Sequence, residues 1–515
     1  MERKIRVITV SLVFLLLLGI ATGFSAGKQE EAAAEGPYRF NYAIGVWDLA
    51  GGRIGVEKQP ADPYFQYVEN KLGMAPLTVS WEWEGSTGYV QGLRLAIASG
   101  DIPEAFMPRD EQLVKELMEA GAIIPLDDLL KEHGQDVLKA IPEDKWDQIR
   151  ATAPDGKIYY VSYIRFAPGS RTGFIRKDWL DRVGKTVPKT KDELVDVYRA
   201  FRDHDANGNG DPNDEIPVSG RQYMRWCDDL FVMWGVSMWE GFPQWYWDEK
   251  QGRLISHQVS DQMKNAIEWL RFLVDEKLMD PVFAIQSNKD WVAKINANRV
   301  GHHFHIVNSL HGFAGFMKDD PDAGWVVLHP PRVPGLPQQK NYFPFFEFPM
   351  FVISSEARHP DKIMQWFNWG STLEGNMYRW LGIPEVDWTR EDGKIKVLNQ
   401  AVPRYKYIPY GIRQYVPEAI AQTPLGDMKV KMLEELWPDN IQGLDNEGMP
   451  PQVYEDYTDF RPWSATLYRE WCSKMVMGEL PMSAWDEYVK KWYDSGGEIV
   501  TQRATEWYKN FHGIK

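Results

Sequence analysis

The chain has 515 residues, with 58 Lys and Arg against 73 Asp and Glu, and a formal net charge of −15. So acidic a chain repels nucleic acid and anionic membrane surfaces, and no basic run offsets this. Its length exceeds what one hydrophobic core serves, and its two cysteines, Cys227 and Cys472, exclude a disulfide framework while leaving one bridge or two buried thiols open.

The basic start Met1–Arg6, the apolar run Val7–Ala21 and the small residues of Thr22–Gly27 predict a cleavable export signal over 1–26. The competing reading, an uncleaved membrane anchor, meets an apolar run shorter than the roughly 20 residues a span requires. No cysteine lies there to accept a lipid anchor. Residues 27–36 read as a flexible linker, and folding is expected to begin near Pro37.

Extended and helical patterns then alternate, which predicts an α/β architecture. Strands are expected at Tyr38–Val46, Leu77–Trp83, Ala105–Met107, Asp155–Tyr163 and Thr172–Arg176, then at Gly301–Val307, Gly324–Leu328 and Phe345–Ile353. Helices are expected at Asp62–Leu72, Gly88–Ser99, Asp110–Ala120, Lys191–Arg202, Asp261–Lys277 and Pro360–Trp369. The last hundred or so residues are expected to hold helices at Leu425–Trp437, Trp463–Gly478 and Met482–Trp492.

Between a helix and an extended Ile216–Ser219 lies Asp205-Ala-Asn207-Gly-Asn209-Gly-Asp211-Pro-Asn213-Asp214-Glu215. Alternating Asp and Asn around glycine is how a short loop supplies the roughly six to eight oxygens that Ca²⁺ takes. The twelfth position from Asp205 is Ile216 rather than Glu; counting from Asp203 lets Asp214 close the loop. A solvated turn is the plainer alternative. Either way the loop clamps a connection and has no nucleophile beside it.

Tryptophan, tyrosine and phenylalanine occur 23 times each, an unusual share for tryptophan. Indoles fill cores, and they also stack on the C–H faces of sugars. Trp47 and Asp48 follow the first strand, where strand ends face the crevice of an open sheet. Trp226, Trp234, Trp239, Trp245 and Trp247 form the densest aromatic region. Trp81 and Trp83 share one strand face and Glu82 and Glu84 the other; the carboxylates read as a solvated face rather than a glycosidase pair. His302–His305 suggests a metal cluster, yet no cysteine nearby completes a tetrahedral set, so cleft-lining or core histidines are expected. No nucleophile elbow, phosphate loop or dinucleotide fingerprint occurs.

Several segments follow a familiar order: Leu93–Glu104, Ile124–Leu130, Asp155–Ser162, Phe174–Leu180, Pro188–Leu194, the Asp/Asn loop, and Ile353–Lys362. In this order the chain resembles the extracellular solute-binding proteins of carbohydrate ABC importers, in particular the large calcium-containing members that include alginate-oligosaccharide-binding proteins. The resemblance implies a two-lobed, type II periplasmic-binding-protein fold closing on a sugar, non-catalytic, with an oligosaccharide and the importer's permease subunits as partners and the chain a monomer. It implies structural Ca²⁺ held by Asp205, Asn207, Asn209, Asp214 and Glu215, with the Asp211 carbonyl as a further ligand. It divides the chain into an N-terminal lobe (37–165 and 294–353) and a C-terminal lobe (166–293 and 354–515). Ligand contacts are expected from the tryptophans of 226–247 and Trp47, from Asp48, Arg109, His303, His305, Asn308 and Glu347, and from Arg379 with Trp380.

Overall fold

The main strands are β1 (Tyr38–Ala43), β2 (Met74–Val79), β3 (Ala105–Phe106), β4 (Val161–Tyr163), β5 (Arg171–Arg176), β6 (His302–Ile306), β7 (Trp325–Leu328) and β8 (Glu347–Ile353). They form a sheet of order β2-β1-β3-β8-β4 and a second of order β6-β5-β7. In the first, β1 runs parallel to β2 and β3, while β8 returns antiparallel between β3 and β4. In the second, β6 and β7 pair antiparallel to the two edges of β5, whose residues are all buried. The computed structural model describes residues 36–45, 55–79, 87–163, 171–318, 323–344, 347–399, 407–409, 411–436, 441–443, 451–457 and 459–514. The expected signal, the segment holding Trp47 and Asp48, and Trp81–Glu84 lie outside these. Residues from Pro37 onward form one compact unit. Among the described residues no helix is long and apolar enough to cross a membrane.

Local chemistry sets the helix starts. Thr190, Ser260 and Ser287 each accept a backbone N–H in the first turn of the helices Lys191–Asp203, Asp261–Asp275 and Asn288–Asn296, satisfying donors that the helix itself leaves open. Pro63 and Pro360 open theirs, where a missing N–H is harmless. The strand expected at Asp155–Tyr163 is shorter: Gly156 at φ +68 makes a turn, and only Val161–Tyr163 joins the sheet. A hairpin (Trp245–Asp248 with Arg253–Ser256) and a final helix (Glu498–His512) went unforeseen.

Strand pairing differs from the division expected between lobes. Residues 302–328, expected with the N-terminal part, supply β6 and β7 and therefore belong to the sheet of β5. The helix Pro360–Ser371, expected with the C-terminal part, buries Ile363, Met364, Trp366 and Phe367 in the core that also holds Phe40, Tyr42, Phe106 and Val161. Both edges of β5 need hydrogen-bond partners and the first sheet needs a covered face. The chain meets these demands with segments distant in sequence.

Gly173, in the centre of β5, permits a close approach. A Cβ there would lie 2.6 Å from Asp229 Oδ2 and 2.9 Å from His302 Nε2. His302 Nε2 lies 2.8 Å from that carboxylate, and its Nδ1 hydrogen-bonds the Tyr198 hydroxyl. This buried chain ties the second sheet to the helices Lys191–Asp203 and Asp228–Val232. Cys227 and Cys472 are free, buried thiols.

Candidate functional site

The start of β5 carries a buried arginine. The Arg171 side chain is 1% exposed, and its guanidinium carbon sits 3.9 Å from the Trp239 ring centre and 4.6 Å from that of Trp226. Desolvated cation–π contacts of this kind are worth about 2 kcal/mol. Arg171 Nη1 donates to Asp228 Oδ2 at 3.2 Å, and Nη2 lies 3.8 Å from Glu240 Oε1. The Asp228 carboxylate also accepts the Glu240 and Gly241 backbone N–H groups at 2.9 and 3.2 Å. Burial nonetheless pushes Asp228 up to about 6, against the pull of Arg171. Arg225 ion-pairs with Glu240 from the other side. The segment that delivers these groups is tight: Tyr223, Met224 and Trp226 have φ of 65, 57 and 62°, and Arg221 and Arg225 exchange backbone hydrogen bonds at 2.9 and 3.2 Å. Left-handed backbone at residues other than glycine costs about 1–3 kcal/mol each and is retained where the surroundings fix it, often at ligand sites. Tyr223 is 45% exposed.

Of the residues singled out in the sequence, Trp226, Trp239 and His305 come together here. His305, on β6, lies 4.0 Å ring to ring from Trp226, and burial with the nearby Arg171 holds its pKa down to about 3. Asn308, just past β6, keeps a buried Oδ1 with no partner. Asn341, unnoticed in the sequence, likewise has an unpaired Oδ1 while its Nδ2 donates to Thr172 beside Arg171 at 3.5 Å. Arg171, Asp228 and Glu240 were also missed. Their only sequence signal is a charged residue at the start of a strand and an Asp-Asp pair within an aromatic segment.

The other candidates fall elsewhere. Trp234 stands 6.5 Å from Trp269, lining a groove of about 460 Å³ with Lys191, Arg199 and Phe272. Trp245 packs on Trp492 and Trp247 stacks on Tyr508, because their shared hairpin face is covered by C-terminal helices. His303 is fully buried among Phe174, Trp291, Phe313 and Trp325. Arg379 is 2% exposed and is used internally: it donates to Asn376 Oδ1 at 2.5 Å and to the carbonyls of Gly370, Pro409 and Ile412 at 3.1 to 3.4 Å. Trp380 is core. Arg109 is half-buried with φ 53°, at the end of the segment that follows β3. Trp47 and Asp48 lie outside the described residues, as does the side chain of Glu347.

The buried histidines set an acid limit. Burial depresses His257 and His305 to about 3 and His303 well below its usual value. Between pH 6.5 and about 3 the unfolded chain therefore binds protons that the folded one refuses, so these groups lose stability as pH falls. Asp228, raised to about 6, and Glu215, also raised by burial, act in the opposite sense but are two groups against three histidines. Thermal melts should show a midpoint falling steadily below pH 6.5, and His303→Phe should flatten that slope by about one proton; an unchanged slope contradicts this account.

In the Asp/Asn loop, Asp203 is paired with Arg202 at 2.7 and 2.9 Å, whereas Asp205 accepts the N–H groups of Asn209 and Gly210 at 3.0 and 2.9 Å. The turn therefore starts at Asp205. Asn207 and Asn209 donate their side-chain amides to the two oxygens of Asp214 at 2.7 and 3.1 Å, and Asp211 accepts from Asn213. Gly208 and Gly210, at φ 73 and 91°, make the bend. Among the described residues no three His, Cys, Asp or Glu side chains converge closely enough to hold a metal as they stand. The donor set still fits a hard cation: it is all oxygen, Glu215 Oε2 is buried without a partner, and burial together with Asp214 and Asp205 raises the Glu215 pKa. Arg299 Nε, 3.3 Å from the Asp214 carbonyl, and Asn298 Nδ2, 3.3 Å from that of Asn207, fasten the loop to the segment before β6.

The fold is the α/β, two-lobed fold of type II periplasmic binding proteins, and residues 75–377 match the bacterial extracellular solute-binding protein family. The chain belongs to that family, one of solute-binding proteins rather than enzymes. It is similar to the fructooligosaccharide ABC transporter substrate-binding protein FusA of Streptococcus pneumoniae serotype 4, 28% identical over 266 residues that span 48% of this chain and 47% of FusA. That stretch is about half of FusA's length. Over 99% of both chains it is 22% identical to the polygalacturonan/rhamnogalacturonan-binding protein YtcQ of Bacillus subtilis. Its structure superposes on the alginate-binding protein AlgQ2 without calcium ion with TM-score 0.68, at 19% identity, covering 92% of this chain and 98% of that one. An EF-hand mutant of FusA bound to fructo-nystose superposes with TM-score 0.71, at 19% identity, covering 93% and 100%.

Proposed function

We propose that this chain is the oligosaccharide receptor of an ABC importer, exported by its first 26 residues, working as a monomer outside the cytoplasmic membrane and handing sugar to permease subunits. The observation that carries the reading is the indole–guanidinium stack of Trp226, Trp239 and Arg171 at the start of β5. Its half-buried Trp239 indole is the C–H-binding surface, Trp226 being core at 6% exposure, and Asn341, bonded to Thr172 beside Arg171, keeps an unpaired Oδ1. The lobes follow the two sheets: 37–163 with 347–371 around β1, and 171–344 with 413–515 around β5, while the helix Leu373–Leu381 packs on both cores. The ligand lies where the chain passes between them, and its differential affinity for the closed arrangement closes the lobes. The names of FusA, YtcQ and AlgQ2 agree in pointing to carbohydrate. Small-angle scattering should show contraction when an oligosaccharide binds; binding without contraction counts against the closing mechanism.

The Asp205–Glu215 loop holds one structural Ca²⁺ in this reading, supported by its oxygen donors and the orphaned Glu215 oxygen. Calcium should raise the melting temperature of chelator-treated protein, and Asp205→Ala should remove that gain while leaving sugar preference unchanged. Elemental analysis without calcium, together with melts that ignore added calcium, counts against it.

A further inference from the structure

The tight segment 221–226 concentrates positive charge in an acidic chain. Arg221 and Arg225 are held side by side by their mutual backbone hydrogen bonds. Arg469, from the helix Phe460–Met477, stacks its guanidinium 5.0 Å from the Tyr223 ring centre. Asp228 and Glu240 are the carboxylates that answer this group, and both are already engaged: Asp228 by Arg171, Glu240 by Arg225 and Arg171. Among the described residues neither Arg221 nor Arg469 is in an ion pair, Glu240 acting on Arg221 only from beyond ion-pair distance, and the Nε atoms of Arg221, Arg225 and Arg469 are buried without an acceptor. Burial and the adjacent Arg225 pull Arg221 down to about 10 and lower Arg469 as well. Like charges are thus packed half out of water with donors to spare, an arrangement an arriving anion relieves.

We propose that this arginine group, beside the Trp226–Trp239 stack, recognises an acidic oligosaccharide, its negative group a uronate carboxylate or a sulfate ester. The inference rests on the receptor reading above and adds the charge of the sugar. A planar guanidinium meets a carboxylate or sulfate with two parallel N–H donors, and such bonds are shorter and stronger than those to a neutral hydroxyl. Arg221 and Arg469 are each half-buried, open enough for a ligand and dry enough for the contact to matter. The net charge of −15 makes the cluster a local exception that discriminates as well as attracts, since an acid lacking these contacts meets repulsion elsewhere.

The test is calorimetric titration of the mature chain with short oligogalacturonates, the same oligomers methyl-esterified, a sulfated galacto-oligosaccharide and a neutral fructo-oligosaccharide. An acidic oligomer should bind at least about tenfold more tightly than its neutral counterpart, the gap should narrow with added salt, and Arg221→Gln should remove most of it. Arg221→Lys should restore part of the affinity, which a purely structural role does not predict. Preference for the uronate over the sulfate, or the reverse, names the source of the charge. If the ester or the neutral sugar binds as tightly as the acid, or if Arg221→Gln and Arg469→Gln both leave acid binding unchanged, the inference is overturned while the receptor reading stands. If no sugar of the set binds, both fail.

Discussion

Arg171→Ala should destabilise the protein by about 3–5 kcal/mol, the cost of leaving a buried charge without its partner. The side chains of Arg171 and Asp228 are each 1% exposed. Without the guanidinium, Asp228 keeps only the backbone N–H groups of Glu240 and Gly241, while Glu240 keeps its ion pair with Arg225 and the field of Arg221. Asp228 then shifts its proton uptake upward, so the variant's deficit relative to wild type should be largest at neutral pH and shrink as the pH falls toward 5. The double variant Arg171→Gln/Asp228→Asn should be less damaged than Arg171→Gln alone, because no charge is left unanswered. Chemical denaturation at two pH values measures both effects. Equal stability of Arg171→Ala and wild type at pH 7 contradicts the account, as does a double variant weaker than the single one.

Trp239→Ala should weaken oligosaccharide binding at least about tenfold, which corresponds to about 1.4 kcal/mol. The ring is half-buried, with one face on Arg171. Removing it takes away apolar area at about 25 cal/mol per Å² and whatever the ring gains by stacking on a ligand. Trp245→Ala and Trp247→Ala should behave differently: these rings pack on Trp492 and Tyr508, so their loss should lower the melting temperature and leave affinity nearly unchanged. Fluorescence titration of the three variants separates binding from packing. Wild-type affinity in Trp239→Ala, or a large affinity loss in Trp247→Ala, means the site lies elsewhere.

That contrast shows what the sequence could and could not reveal. The helices from Lys191 and from Asp261, the latter amphipathic, and the Asp205–Glu215 loop were legible because each is written in adjacent residues. The tryptophans of 226–247 were legible as a cluster but not as individuals. Whether an indole meets ligand or core depends on what covers its strand face, and for Trp245 and Trp247 the cover comes from C-terminal helices far along the chain. Arginines raise the same difficulty. Arg379 was singled out yet serves the carbonyls of Gly370, Pro409 and Ile412, while Arg171 passed unnoticed as the first residue of a strand. The pairing of β6 and β7 with β5 decides which segments share a sheet, and it depends on edge hydrogen bonds between distant segments that no local period encodes.

The central claim, a receptor that takes up an oligosaccharide and leaves it intact, is tested most directly by native mass spectrometry of the mature chain incubated with mixed neutral and acidic oligosaccharides. The account predicts one adduct per chain at the mass of an unaltered oligosaccharide, with the free sugars unchanged after prolonged incubation. No adduct with any of them, or the appearance of shortened products, contradicts it.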